Sequence, residues 1–130
     1  MKGTGKKKGY LILIVEDTPD ARLLRRQYLE MLGYRVVEAE DGEDGIKAAL
    51  KYSPRLILMN YLMPRMNGLE AVKRIRKIPK LKHIPILMNS ACDPKDMRAP
   101  ALAAGCADYL EEPHSFRSLE HKIAAHILVG

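Results

Sequence analysis

Five short apolar runs, each followed by a stretch of helical periodicity, constrain this chain more than any other feature. They are YLILIV at 10–15, YRVVEA at 34–39, RLILM at 55–59, IPILM at 84–88 and DYL at 108–110. Strands that are apolar on both faces need cover above and below, which a parallel sheet obtains from helices in right-handed crossovers. Between the runs, Ala21, Leu24, Tyr28, Met31 and Leu32 recur at spacings of three and four. That spacing predicts a helix with those residues on its buried face, and with Arg22, Arg25, Arg26 and Glu30 pointing elsewhere. Gly33 supplies its stop. Ile46, Ala49 and Leu50, then Leu69, Val72 and Ile75, then Leu119, Ile123 and Ile127 repeat the pattern. The fourth helix is the weak element, because Pro100 interrupts KDMRAPALAAG and predicts a regular helix only from there to Gly105. Five strands alternating with five helices predict a doubly wound α/β domain with a five-stranded parallel sheet.

At 130 residues, 47% hydrophobic and 29% charged, the chain suits one core and is too apolar for long disorder. A flexible basic leader is expected over 1–9 and a single domain over 10–130. The net charge of +6 is concentrated in MKGTGKKKGY and in KRIRKIPKLKH at 73–83. No aromatics interleave the second run, so it reads as an exposed helix face, and a nucleic-acid-binding module ranks last among the functions considered. Cys92 and Cys106 form no CxxC pair, and His83, His114, His121 and His126 do not cluster with them, which argues against zinc. No secretory or membrane-spanning segment stands out, so the expectation is a cytoplasmic chain without membrane contact.

In an open parallel sheet the working crevice lies beyond the carboxyl ends of the strands. Collected there are Glu16 and Asp17, Asn60, Ser90, and Glu112 before Pro113. The first strand runs into VEDTPDA and not into a glycine-rich phosphate loop, which excludes the usual dinucleotide site. An acidic pair at that position suits a magnesium ion, which is commonly held by one or two carboxylates plus water. The purely structural alternative for Glu16 and Asp17 is a solvated strand end with an N-cap at Asp17 or Thr18.

With these positions in place, the chain over about residues 10 to 128 resembles the receiver domain of two-component response regulators. Glu16 and Asp17 match the family's acidic pair. The third strand runs into NYLMPRMNG, with Pro64 and Gly68 four and eight residues after Asn60. Ser90 followed by Ala91 matches the Ser/Thr position, Tyr109 the switch aromatic, and Glu112-Pro113 the Lys-Pro step, usually a cis peptide. The resemblance implies a flavodoxin-like sheet of strand order 2-1-3-4-5. It also implies phosphoryl transfer from a phosphohistidine on a sensor kinase to an aspartate, with magnesium.

Two departures from that pattern decide the expected function. The acceptor position holds Asn60, and a neutral amide oxygen is a poor nucleophile that makes no comparable acyl phosphate. The lysine position holds Glu112, a carboxylate that repels phosphoryl oxygens, with Lys95 or Arg65 of neighbouring loops as candidates to reach in, which the sequence does not place. The expectation is therefore a non-enzymatic pseudo-receiver with a vestigial magnesium site or no cofactor. It would act by contact with a sensor histidine kinase or other phosphorelay protein. The fourth helix, fifth strand and fifth helix form the family's usual output and homodimer face. Ser90 is then a hydroxyl bonding its own loop, and Tyr109 a packed aromatic. The alternative is an ordinary phosphoaspartate switch carrying a deliberately introduced Asn60. Such a single change would not also have removed the lysine.

Overall fold

A computed structural model describes residues 9–127. The strands are β1 (Leu11–Val15), β2 (Arg35–Ala39), β3 (Leu56–Asn60), β4 (Ile86–Ser90) and β5 (Asp108–Glu111). The helices are α1 (Pro19–Met31), α2 (Gly42–Tyr52), α3 (Gly68–Arg76), α4 (Pro94–Ala104) and α5 (Phe116–His126). The sheet is parallel throughout, in the order β2-β1-β3-β4-β5. This is the flavodoxin-like doubly wound arrangement. The leader expected over 1–9 lies, apart from Gly9, outside the described residues.

Alternation along each central strand sorts its side chains between two cores. Leu13, Val15, Ile57, Met59, Ile86 and Met88 face a cluster completed by Ile46 and Ala49 of α2, Ala71, Val72 and Ile75 of α3, and Ala101 of α4. Ile12, Ile14, Leu56, Leu58 and Leu87 face the other, with Leu29 of α1 and Leu119 and Ile123 of α5. Each such fully buried aliphatic side chain contributes about 1.5–3 kcal/mol of transfer free energy, so a strand apolar on both faces is stable only between these two helical layers. Among the described residues no helix is long and apolar enough to cross a membrane.

Helix α1 departs from the periodicity reading. Leu24 and Met31 are exposed, at 54% and 77%, and Leu29 is the helix's buried residue. Arg22, Arg25 and Arg26, half-buried, share the inward side with it. The reason is electrostatic: Arg22 and Arg26 pair with Glu38 of β2, at 3.2 and 3.0 Å, and Arg25 pairs with Glu16. A carboxylate at a sheet edge under a helix is costly to bury alone, and arginine can lay its stem along apolar surface while carrying its charge to that edge.

Helix α4 also begins earlier than Pro100 suggested. Asp93 caps it by accepting from the Lys95 N–H at 2.9 Å, and Pro94 occupies the first turn, where no N–H is needed. Pro100 removes one interior hydrogen bond and is itself exposed, while the next residue, Ala101, is the helix's buried one. Within the basic run, Arg76 is spent on structure: its guanidinium donates to the carbonyls of Gly105, Leu81, Lys82 and Ile84. Burial lowers its pKa. Cys106 is buried and Cys92 half-buried, and both are free thiols.

Candidate functional site

The turn after β3 brings the site together. Asn67 and Glu70 form a reciprocal capping box at the start of α3, and Gly68 donates its N–H to the Tyr61 carbonyl at 2.7 Å. A Cβ at Gly68 would lie 2.5 Å from the Asn60 carbonyl oxygen and 2.9 Å from the Tyr61 Cα, so only glycine lets α3 approach the strand this closely. Gly68→Ala is expected to destabilise the fold by about 2 kcal/mol through backbone displacement. An unchanged urea midpoint would refute that steric account.

Parallel register then sets Asn60 beside Asn89 of β4, and Val15 of the neighbouring β1 beside Met59. Glu16, Asp17, Asn60, Ser90 and Glu112 all line one cavity of about 300 Å³ at the carboxyl ends of the strands, together with Thr18, Ala21, Arg25, Leu62 and Ala91. The Asn60 carboxamide nitrogen sits 3.3 Å from Glu16 Oε2, 3.3 Å from Asp17 Oδ1 and 2.8 Å from the Leu62 carbonyl oxygen, donating to that corner. Its oxygen accepts from Asn89 Nδ2 at 3.4 Å, and the same Asn89 nitrogen donates to Glu112 Oε2 at 2.9 Å. A hydrogen-bonded chain therefore runs from the acidic pair through two amides to Glu112.

The cation in this cavity comes from a place the strand-end reading passed over. Arg25 of α1 donates through Nη1 to Glu16 Oε1 at 2.6 Å and through Nη2 to Glu112 Oε2. Its side chain is 12% exposed, and Glu16 is 4% exposed. With Arg25 counted, the formal charge of the four ionised groups is −2, not the −3 of the three acids alone. Arg65 instead pairs with Asp41 at 2.8 Å, and Lys95 contributes its backbone N–H to the α4 cap. Neither lines the cavity.

Two signals could have found the missed residues. Arg22, Arg25 and Leu29 are spaced as one helical face, and Asn89 interrupts an apolar strand next to Ser90.

Ser90 is buried, and its Oγ accepts from the Cys92 N–H at 3.0 Å, a local loop bond. Tyr109 is 4% exposed, and its hydroxyl donates to the Cys92 carbonyl at 2.6 Å. Burial raises its pKa against a weaker opposing pull from Ser90. The Glu112–Pro113 peptide is cis. Among the described residues no group of three or more His, Cys, Asp or Glu side chains is placed to hold a metal. At the far end of β5, Asp108 collects Arg98 of α4 at 2.5 Å, and Lys122 and His126 of α5 at 2.9 and 3.3 Å.

Comparison with known proteins gives this site its family context. The family model described as the response regulator receiver domain matches residues 12–124. The chain is 32% identical to Protein PilH of Pseudomonas aeruginosa over 119 residues, which cover 92% of this chain and 98% of that protein. Its fold superimposes on chemotaxis protein CheY4 of Vibrio cholerae with a TM-score of 0.85 at 28% identity, covering 92% and 99% of the two chains. The receiver domain of sensor histidine kinase PA1611 from Pseudomonas aeruginosa gives 0.84 at 30% identity, covering 91% and 97%, and that structure has a magnesium ion coordinated in its active-site cleft. The chain spans about half the length of other curated relatives, 47% and 51% in two transcriptional regulators. A receiver-type sheet, a site at its carboxyl edge and a family match across most of the sequence lead to one conclusion: this chain belongs to the response regulator receiver domain family of two-component signalling.

Proposed function

We propose that this receiver is atypical, does not carry a phosphoaspartate, and signals by protein contact in a phosphorelay. The observation that carries this reading is the carboxamide of Asn60 at the carboxyl end of β3, turned so that its N–H group serves both Glu16 and Asp17. An ionised carboxylate in that corner would place a third anion against two others and would need a cation to hold it. The amide instead satisfies the acids as a donor and offers no anionic nucleophile. Glu112 supports the same reading, since its carboxylate stands where a phosphoryl group would need a cation, and it is already committed to Asn89 and Arg25. On this reading Asn60 is the phosphoacceptor equivalent, Glu112 the lysine equivalent, and Ser90 and Tyr109 the switch equivalents held in one packed arrangement.

Glu16 and Asp17 fit a magnesium ion as a carboxylate pair, because an oxygen of each lies 3.3 Å from the same Asn60 nitrogen and the two therefore converge on one point. These two residues would hold the ion, with water completing its shell. Bound there, magnesium would supply neutralising charge for the acidic corner.

The partner on this reading is a sensor histidine kinase or another phosphorelay protein in the cytoplasm, met without enzymatic turnover by this chain. The α4–β5–α5 face, held together internally by Asp108, is the surface proposed for output or homodimer contact. Acetyl phosphate with magnesium, followed by phosphorus NMR, tests the proposal on the chain and on Asn60→Asp. Neither should take label, because Glu112 still opposes the phosphoryl group. Strong labelling of Asn60→Asp alone would instead favour an ordinary switch inactivated at one position.

A further inference from the structure

We infer that Arg25 is a tethered counter-ion that competes with a divalent cation for Glu16. Binding of magnesium at the acidic pair and closure of Arg25 onto Glu112 would then be alternative states of the site. This rests on the assignment of Glu16 and Asp17 as the cation-holding pair.

Both carboxylate oxygens of Glu16 already accept hydrogen bonds. Oε1 accepts from Arg25 Nη1 at 2.6 Å, and Oε2 accepts from the Thr18 N–H at 3.1 Å and from Asn60 Nδ2 at 3.3 Å. Asp17 Oδ1 accepts from the same Asn60 nitrogen. The corner is thus filled by hydrogen-bond donors, whereas magnesium takes oxygen donors and tolerates no N–H pointed at it. The Asn60 amide must rotate to free Glu16 Oε2 and Asp17 Oδ1, and the Arg25 charge held on Oε1 of the same carboxylate opposes a cation there, so magnesium binding favours Arg25 swinging away. Both motions are ordinary side-chain rotations, and the cavity beside them is about 300 Å³.

A guanidinium is suited to this competition. It is always charged, its fork reaches two carboxylates at once, and its attachment to α1 keeps its local concentration high. When Arg25 leaves Glu16, its second contact, to Glu112, loses its anchor as well. That contact ties α1 to the connection between β5 and α5, across 87 residues of sequence. Cation occupancy is thereby coupled to how α1 sits against the β5–α5 connection.

Magnesium titration by NMR tests the inference on three proteins. In Arg25→Gln the affinity, read from the amide shifts of Glu16 and Asp17, should rise about tenfold or more over the unmodified chain, since a competing positive charge has gone. Arg25→Gln/Glu16→Gln should lose the gain. In the unmodified chain, the Arg25 Nε–H resonance should move along the same titration curve as the Glu16 amide. Equal affinity with and without Arg25, or no binding by either, overturns the inference and leaves Arg25 a structural ion pair. Should Arg25→Gln fail to fold, the Nε–H resonance of the unmodified chain decides: movement with magnesium supports the competition, and a stationary signal overturns it. Phosphoryl labelling does not enter these readouts, so the non-phosphorylated reading and the Arg25 competition fail separately.

Discussion

Asn60→Asp combined with Glu112→Lys is expected to accumulate an acyl phosphate from acetyl phosphate and magnesium, where the unmodified chain is expected to stay unlabelled. The single changes should not achieve this. Asn60→Asp supplies an anionic carboxylate but leaves Glu112 in the same cavity to oppose the incoming phosphoryl oxygens. Glu112→Lys supplies a cation but leaves an amide as acceptor. One unit charge about 4 Å from the phosphoryl group is worth about 4 kcal/mol at an effective dielectric of 20, about three powers of ten in rate, and reversing its sign changes the energy by more than that, so the contrast between single and double variants should be large. Phosphorus NMR and mass spectrometry read it directly. A double variant that stays unlabelled would show that the obstacle lies elsewhere in the cavity, with Arg25 the first residue to remove, because its Glu112 partner would be gone and its charge would face a lysine.

The second large effect concerns stability at the other end of the sheet. Asp108 is 9% exposed at the start of β5 and holds three cationic or ionisable groups from α4 and α5. Burial works against its ionised form, but hydrogen bonds from Lys122, Arg98 and the Tyr109 N–H outweigh it, leaving the carboxyl well below the usual carboxylate range. Asp108→Asn should cost about 3 kcal/mol near neutral pH, since two cations then lose their shared anion while the strand still buries the site. A carboxyl depressed on folding contributes stability that is fully present above its unfolded pKa of about 3.9 and is lost as pH falls toward the folded value. The gap between the unmodified chain and Asp108→Asn should therefore narrow below about pH 4. Urea unfolding across pH 3 to 7 reports both features, and a gap that stays constant with pH would sink the assignment.

Much of the fold was legible along the chain because strand and helix periodicities are local. Val15, Met59 and Met88 could be placed inside from their neighbours alone, and Asn67 to Gly68 announced a turn by its chemistry. The residues at the carboxyl ends of the strands were legible too, because topology confines them to one edge. Helix α1 was misread for a different reason. Periodicity ranks faces by apolar content, and the stripe through Leu24 and Met31 outscored the one through Arg22, Arg25 and Leu29. Which stripe turned inward depended on the buried carboxylates awaiting it, and those come from β1, β2 and the connection after β5.

By itself, then, the sequence determined five parallel strands, with an amide, Asn60, at the end of the third and a carboxylate, Glu112, just past the fifth. Residue identity is chemistry that no packing can alter. Only the tertiary structure decided that Arg25 answers Glu16 and Glu112, that Asn89 links Asn60 to Glu112, and that Asp108 gathers α4 and α5. Those contacts join groups as many as 87 residues apart, and their geometry follows from how each helix is rotated on the sheet. That rotation is fixed by the whole core and its buried charges together, so no local window of sequence contains it.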